Sequence, residues 1–177
     1  MAVTLVATVG SATANSLCTR VEAVAFAEEV FPQSEVTAWN GLDNTNKDRA
    51  LIQAQKVFEG FRWVGERSDA TQALELPRSG IPLPDGSADY DTDEIPPAAK
   101  RAQATLAFWF AKTSNAGGST GPSEVAGLTS ISFGSELSMS FEQGATSVSA
   151  VGRFVGSVIR PMLAGLIYAP QSRLVRG

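Results

Sequence analysis

The sequence predicts a mainly α-helical protein: a small helical bundle with a protruding β-hairpin or long β-arm and extended N- and C-terminal segments. Two observations carry this prediction. In four separate stretches apolar residues recur at intervals of three and four, which is the spacing of an amphipathic helix. In one late stretch, from Thr129 to Phe141, they fall on alternate positions instead, which is the spacing of a strand.

The chain has 177 residues, which suits one domain or one domain with an arm. A Gly/Ser-rich run, SNAGGSTGPS, follows the longest predicted helix and is typical of a flexible linker. We therefore divide the chain into an N-terminal extended arm over 1–18, a helical core domain over 19–113, a Gly/Ser linker and β-arm over 114–147, and a C-terminal helix and tail over 148–177.

The N-terminal part alternates from Val3 to Val9 between two sides that mix apolar residues and threonine, a pattern typical of an edge strand or extended arm. A capping box, Thr19 followed by Glu22, then predicts the start of a helix, and Pro32 predicts its end. The apolar stripe of this helix is expected to contain Ala23, Phe26, Ala27 and Val30.

A loop carrying Trp39 is predicted from Pro32 to Asn44, and a second helix is expected to begin near Thr45 or Asn46. The stripe of this second helix comprises Ala50, Leu51, Ala54, Val57, Phe58 and Phe61. From Glu66 to Tyr90 turn-forming residues dominate, so another loop is predicted. A loop of this length is uncommon unless it contacts something.

The longest predicted helix runs from about Pro96 to Lys112, and carboxylates precede it where the positive end of the helix dipole favours them. Two prolines at its start suit a first turn, which has no N–H bond to lose. This helix is apolar on two sides, so it needs two partners. One is its own core, and the other is either a second layer of the same domain or a neighbouring subunit. The first face carries Ala99, Ala102, Leu106, Trp109 and Phe110, and the second carries Ala104, Phe108 and Ala111.

The late alternating stretch predicts the β-arm. A three-residue turn after Phe133 would pair that residue with Leu137 and keep each face uniform. One continuous strand bent at Gly134 would do the same, so the hairpin and the long strand both remain open. The apolar face of the β-arm consists of Ile131, Phe133, Leu137, Met139 and Phe141, with serines between most of them.

A last helical stripe follows, in which Pro161 must either kink the helix or start a new short one. The closing segment, APQSRLVRG, carries two arginines and no packing pattern, and such termini are ordered only when a partner holds them. The stripe itself comprises Phe154, Val155, Val158, Ile159 and Met162.

Composition argues against catalysis. The chain has no histidine, the commonest general base and metal ligand, and its one cysteine, Cys18, is interpreted as a small buried thiol. Neither a cofactor nor a metal is expected, and no apolar run is long enough to span a membrane. One acidic cluster does not match a calcium-binding loop and is interpreted as solvated: Asp85, Asp89, Asp91, Asp93 and Glu94.

The charge balance also bears on nucleic acids. A net charge of −4 and a pI near 4.9 count against tight nonspecific binding to DNA phosphates. The basic residues of the second helix and its exit are interleaved with acidic ones, which favours an ordinary solvated face: Arg49, Lys56, Arg62 and Arg67. Trp39, Trp63 and Trp109 are expected in the core rather than stacked on bases.

Six short motifs follow one another along the chain. They are Ala14-Asn15-Ser16 before the capped Glu22-Ala23, Ala50-Leu51-Ile52-Gln53-Ala54, Gln72-Ala73-Leu74 leading to Pro77-Arg78-Ser79-Gly80, Asp93-Glu94-Ile95-Pro96, the Gly134-centred strand, and Leu174-Val175-Arg176. Their order and spacing resemble the small tailed-phage head–tail connector proteins, the adaptor or head-completion proteins. Some of these are labelled DnaT-like single-stranded-DNA-binding proteins. The resemblance covers nearly the whole chain, with departures at Leu17 and Leu76, where aromatic residues are frequent.

The resemblance implies a mostly helical subunit of a homo-oligomeric ring, commonly of twelve copies, docked beneath the portal protein. The ring extends the DNA channel, through which DNA passes without sequence-specific binding, and it joins the head to a tail-side neck protein (a stopper or tail terminator). It further implies a structural, non-enzymatic virion protein of the phage neck, made in the host cytoplasm and independent of membranes.

On this interpretation three sets of residues form interfaces. The C-terminal set, expected to engage the portal or a neighbouring subunit, is Arg153, Phe154, Arg160, Arg173 and Arg176. The β-arm set, expected to face the next subunit or the tail-side partner, is Ile131, Phe133, Leu137, Met139 and Phe141. The third set is the second face of the central helix, Ala104, Phe108 and Ala111. The alternative hypothesis is a single-stranded-DNA-binding module of replication, which needs a basic groove with exposed aromatics.

Overall fold

The computed structural model describes residues 4–115, 130–133, 137–140 and 150–168. This part of the chain is mainly helical and carries two small antiparallel sheets of two strands each. The helices are α1 (Arg20–Val30), α2 (Gln33–Asn40), α3 (Asn44–Phe58), α4 (Pro97–Asn115), α5 (Ala150–Phe154) and α6 (Arg160–Met162), with a π-helical segment (Val155–Ile159) between the last two. The strands are β1 (Glu66–Arg67), β2 (Arg78–Ser79), β3 (Ser130–Phe133) and β4 (Leu137–Ser140).

Helix α1 begins where the sequence predicts, because both hydrogen bonds of the Thr19–Glu22 capping box are formed. Ala23 and Ala27 are buried, but Val30 is 61% exposed and does not belong to the apolar stripe. The reason is the end of the helix. Phe31 caps it with extended backbone and is buried in place of Val30, with its ring 5.2 Å from that of Phe108.

The prediction of a loop from Pro32 to Asn44 is wrong, because Gln33–Asn40 form α2. Pro32 both ends α1 and stands at the N-cap of α2, so one proline serves two helices. Trp39 is buried, and its ring stacks on Phe108 at 4.2 Å. This contact, with a residue far along the chain, supplies the burial that stabilises so short a helix.

Helix α3 starts slightly earlier than expected, because the Asp43 side chain accepts a hydrogen bond from the Asn46 N–H and caps it. Its predicted stripe is buried, with only Val57 partly exposed. Phe61 was predicted as part of this stripe, but it lies beyond the helix, which ends at Phe58. The stripe packs along α4, which lies at the centre of the bundle.

The segment between α3 and α4 is irregular apart from the short pairing of β1 with β2, and it contacts the protein's own core. Leu74, Leu76 and Ile81 are buried against the helices. Gly65 has a positive φ of 74°, and a Cβ there would lie 2.0 Å from the Ser79 carbonyl oxygen, so only glycine allows this close approach.

Helix α4 is buried on two sides, as its sequence predicts, and both partners belong to the same chain. α3 packs on one side, while α1 and α2 pack on the other. Phe108, on the second face, lies between Phe31 and Trp39. Of the two alternatives, a second layer of the same domain is therefore the one that covers this face.

The residues from Thr4 to Val9 form no strand. They are held by Asn15, whose Oδ1 accepts from the Val6 N–H at 2.8 Å and whose Nδ2 donates to the Thr4 carbonyl at 2.9 Å. Beyond Asn15 the chain enters the core, and Leu17 and Cys18 are buried.

The C-terminal helices close one side of the bundle. Phe154 stacks on Trp109 at 5.1 Å, and Leu163 and Leu166 are buried beyond it. Pro161 lies in the short helix α6, directly after the π-helical segment. Of the two alternatives for this proline, a kink or the start of a new short helix, the second is observed. The Tyr168 N–H donates to the Arg62 carbonyl and joins this end to the exit of α3.

Strands β3 and β4 pair with each other, with Phe133 opposite Leu137 and Ile131 opposite Met139. Of the two alternatives, the hairpin is therefore observed and the long bent strand is not. Its register is the one that a three-residue turn after Phe133 predicts. Phe141 lies outside the described residues.

Candidate functional site

The residues of the predicted C-terminal set differ in how exposed they are. Phe154 is fully buried against Trp109, so it supports the core and is not available to a partner. Arg160 is half-buried, with its guanidinium 5.1 Å from the centre of the Phe61 ring. Arg153 is half-buried as well. Arg173 and Arg176 lie outside the described residues.

An exposed basic and aromatic surface lies beside Arg160 that the sequence did not reveal. Arg62, the neighbour of Phe61, stands over the ring of Tyr168 at 5.5 Å, and that tyrosine is 53% exposed. Tyr168 lies in a segment with no helical period, so only the fold brings it to Arg62. We call Arg62, Arg160 and Tyr168 the arginine–tyrosine surface.

The second face of α4 is largely closed. Ala104 and Phe108 are buried within the chain, so they cannot form an exposed interface with a neighbour. Ala111 remains half-buried and lines shallow surface grooves, one of them with Trp39 and Leu42. The physical reason is that two rings stack on Phe108: that of Phe31, at the end of α1, and that of Trp39, in α2.

A different groove runs along the outer side of α3. Arg49, Gln53 and Lys56 recur at i, i+4 and i+7, so they share one side of the helix. Ile52 and Val57 are half-buried beside them, and Phe110 and Val151 complete the lining. We call the surface of Arg49, Ile52, Gln53, Lys56 and Val57 the basic groove.

The charge of the basic groove is less compensated than the sequence indicates. Asp48, which seemed to interrupt the basic side, is buried and pairs with Arg20 at 3.3 Å. Within the described ranges, neither Arg49 nor Lys56 is in an ion pair, whereas Lys100, Arg101 and Lys112 each pair with a carboxylate.

The acidic cluster is confirmed as solvated, since all five of its carboxylate residues are exposed. Hydrogen bonds from the backbone N–H and hydroxyl of Ser87 hold the pKa of Asp85 below its ordinary value. In the part of the chain that the structure describes, no three potential ligand residues come together in a metal-binding arrangement. We call residues 85–94 the acidic segment.

Cys18 is confirmed as a buried thiol. Burial, together with the nearby Glu22 carboxylate, raises its pKa to about 12, so the nucleophilic thiolate is scarce at neutral pH. The neighbouring side chain of Gln103 connects the N-terminal segment to α3. Gln103 Oε1 accepts hydrogen bonds from the backbone N–H groups of Leu17 and Cys18 at 2.9 and 3.1 Å. Gln103 Nε2 donates to the Leu51 carbonyl at 3.1 Å.

The three tryptophans lie in the core, as the sequence predicts. Trp63 donates its indole N–H to the Phe58 carbonyl at 3.2 Å. None of them offers a ring face to a base. Across the described residues, no helix combines the length and the apolar character that crossing a bilayer requires.

Comparison with known proteins gives one match. A family model described as "Putative DnaT-like ssDNA binding protein" matches residues 1–177, the whole chain. No match was found among curated protein sequences or among solved structures.

Proposed function

The chain belongs to the DnaT-like ssDNA binding protein family, and we propose that it acts as a structural adaptor of a tailed-phage virion. In this proposal it forms a ring beneath the portal protein at the head–tail interface, extends the DNA channel, and presents a surface to a tail-side neck protein. The ring is a homo-oligomer, commonly of twelve copies in the proteins that the sequence resembles. No catalysis and no cofactor are involved.

The observation that carries the proposal is the β3–β4 hairpin. Neither strand pairs with a third strand among the described residues. An isolated two-stranded hairpin is marginally stable in water, and its open edges present unpaired N–H and C=O groups. Pairing with another chain satisfies those groups, which is how extended arms join subunits. The alternation of apolar and serine pairs along the ladder supports such a role.

The electrostatics of the described part support the same proposal. Six ion pairs compensate much of its positive charge, and the net charge of the chain is −4. A channel through which DNA slides must not hold the phosphates tightly, and a mildly acidic subunit meets that requirement.

Removing either arm is expected to abolish docking onto rings of the cognate portal protein. One variant replaces residues 129–141 with a Gly/Ser linker of equal length, and the other ends after Tyr168 and so lacks Arg173 and Arg176. Truncation at residue 161 is unsuitable, because it removes the buried Leu163 and Leu166. Electron microscopy of portal rings incubated with each variant, beside the intact chain, measures the loss of docking.

Each arm variant retains every contact described within the helical bundle, so its thermal unfolding midpoint is expected to match that of the intact chain. Lys47→Ala with Arg101→Ala serves as a matched control for the two arginines that the tail variant lacks, since it removes two positive charges from the bundle, where Arg101 is in an exposed pair with Glu29. Variants that are folded and still dock as well as the intact chain would contradict the proposal, as would a virion neck without this protein.

A second candidate function, single-stranded-DNA binding, is favoured by the arginine–tyrosine surface. Arg62 stands over the exposed ring of Tyr168, and Arg160 stands over the ring of Phe61, the residue before Arg62. An exposed aromatic ring with arginines nearby is the kind of site on which a base stacks while phosphates are neutralised. The family description points the same way.

The adaptor proposal predicts that the chain binds DNA weakly. A titration with a single-stranded oligonucleotide at rising salt concentrations measures this affinity. Affinity tighter than about 1 μM, with a steep salt dependence, would favour the second candidate instead. In that case Arg62→Ala with Arg160→Ala should reduce the slope of log K against log salt by about 1.4, since each phosphate contact contributes about 0.7 on single strands. Lys47→Ala with Arg101→Ala removes the same charge elsewhere and is the control.

A further inference from the structure

The basic groove has the form of a docking surface for an acidic, partly apolar segment. Arg49 and Lys56 are exposed at its two ends, about 10 Å apart along the helix axis at 1.5 Å per residue. Gln53 lies between them with an amide that is not engaged in any described hydrogen bond. The half-buried Ile52 and Val57 give the groove an apolar side.

The acidic segment of the same chain supplies the complementary charge. Its five carboxylate residues are exposed, and none of them is in an ion pair within the described ranges. Tyr90 within the segment and Leu83 just before it are both half-buried and add apolar surface. The acidic segment therefore carries the charge opposite to that of the basic groove, with apolar surface beside it.

The two surfaces cannot meet within one copy. The acidic segment leads into the N-terminal end of α4 at Pro97, while the basic groove lies beside Phe110, near the other end of that helix. The 13 residues between Pro97 and Phe110 span about 20 Å at 1.5 Å per residue. A single copy therefore presents a basic surface and an acidic surface at separate places.

We propose that the basic groove of one copy binds the acidic segment of a second copy. Two different surfaces of the same chain then form a heterologous, head-to-tail contact, and such contacts generate a ring when the rotation closes. Opposite charges steer the association and fix its register. The inference rests on the proposed function, which requires assembly, and adds which surfaces meet. The groove contains no exposed aromatic ring among its described residues, which favours a carboxylate segment over a nucleic acid.

A cysteine cross-link tests the contact directly. In the full chain carrying Gln53→Cys and Asp91→Cys, assembled on portal rings and then oxidised, disulfides are expected to link successive copies. Non-reducing electrophoresis should then show a ladder of dimer, trimer and higher species that dithiothreitol removes. Each single variant should give no ladder, because every copy then carries only one of the two partners. Cys18 is buried and does not interfere.

Charge reversal supplies the second measurement. Arg49→Glu with Lys56→Glu is expected to reduce assembly at low salt at least tenfold, and adding Asp91→Lys with Asp93→Lys should restore it. Lys47→Glu with Arg101→Glu changes the net charge equally at positions outside the basic groove and should leave assembly intact.

The outcomes separate this inference from the proposed function. A ring that assembles on the portal, as seen by electron microscopy, but shows neither a ladder nor a response to charge reversal overturns the inference alone. A chain that never assembles overturns both. If charge reversal in the basic groove leaves assembly unchanged and weakens oligonucleotide binding instead, the groove is a nucleic-acid site and the inference is wrong.

Discussion

Replacing Gln103 with leucine is expected to lower the free energy of unfolding by about 3–5 kcal/mol, since each buried polar group left unpaired costs about 1–3 kcal/mol. Gln103 is fully buried, and its Oε1 is the acceptor for two backbone N–H groups, those of Leu17 and Cys18. The Ser16 hydroxyl lies 3.3 Å from the same oxygen, but it donates at 2.7 Å to the Cys18 carbonyl and keeps that partner. Leucine fills a similar volume but accepts no hydrogen bond, so the backbone N–H groups of Leu17 and Cys18 lose this acceptor while they remain buried.

This decrease would be a large part of the total free energy of unfolding, because domains of this kind are stable by only about 5–15 kcal/mol. Urea unfolding followed by tryptophan fluorescence measures it. The matched control is Gln53→Leu on α3, which is half-exposed and has no described hydrogen bond, and its effect should stay within about 0.5 kcal/mol. A Gln103→Leu protein that unfolds at the same urea concentration as the parent would show that the N-terminal segment is not held by this side chain.

Replacing Phe108 with alanine is the second change with a large expected effect, about 3–5 kcal/mol of stability. The Phe108 ring lies between those of Phe31 and Trp39, nearly parallel to both, with interplanar angles of 9° and 13°. Alanine leaves a cavity where α1, α2 and α4 meet, and the stacking is lost with the buried area.

This substitution also distinguishes the two interpretations of the second face of α4. If that face served a neighbouring subunit, Phe108→Ala would leave the thermal midpoint of the unassembled chain unchanged and impair only assembly. We expect the reverse, a large fall in the midpoint of the chain by itself. Val30→Ala, at a position that is 61% exposed, is the control and should change stability by less than about 0.5 kcal/mol.

Features that depend on neighbouring residues in the chain were predictable from the sequence. The Thr19–Glu22 capping box forms as written, because its hydrogen bonds join residues only three apart. The apolar stripes of α3 and α4 are buried where periodicity places them. The spacing of Phe133 and Leu137 allowed the hairpin register that is observed, although it did not exclude a single bent strand.

The candidate surfaces could not be predicted in this way from the sequence. Asp48 follows Lys47 and precedes Arg49, so it appeared to neutralise the basic side of α3, yet it turns inward and pairs with Arg20. Tyr168 has no sequence signal that joins it to Arg62, and Phe154 was assigned to a partner although Trp109 covers it. In each case the decisive neighbour is distant in sequence.

The sequence by itself determined the helical class, the capping of α1, the faces of the long helices and the absence of histidine chemistry. Only the tertiary structure decided that residues 33–40 form a helix, that Phe108 is covered by Phe31 and Trp39, and that the basic groove and the acidic segment lie apart. The physical reason is that periodicity and capping act within a few residues, whereas the choice of which apolar and charged groups meet depends on long-range packing of the whole bundle.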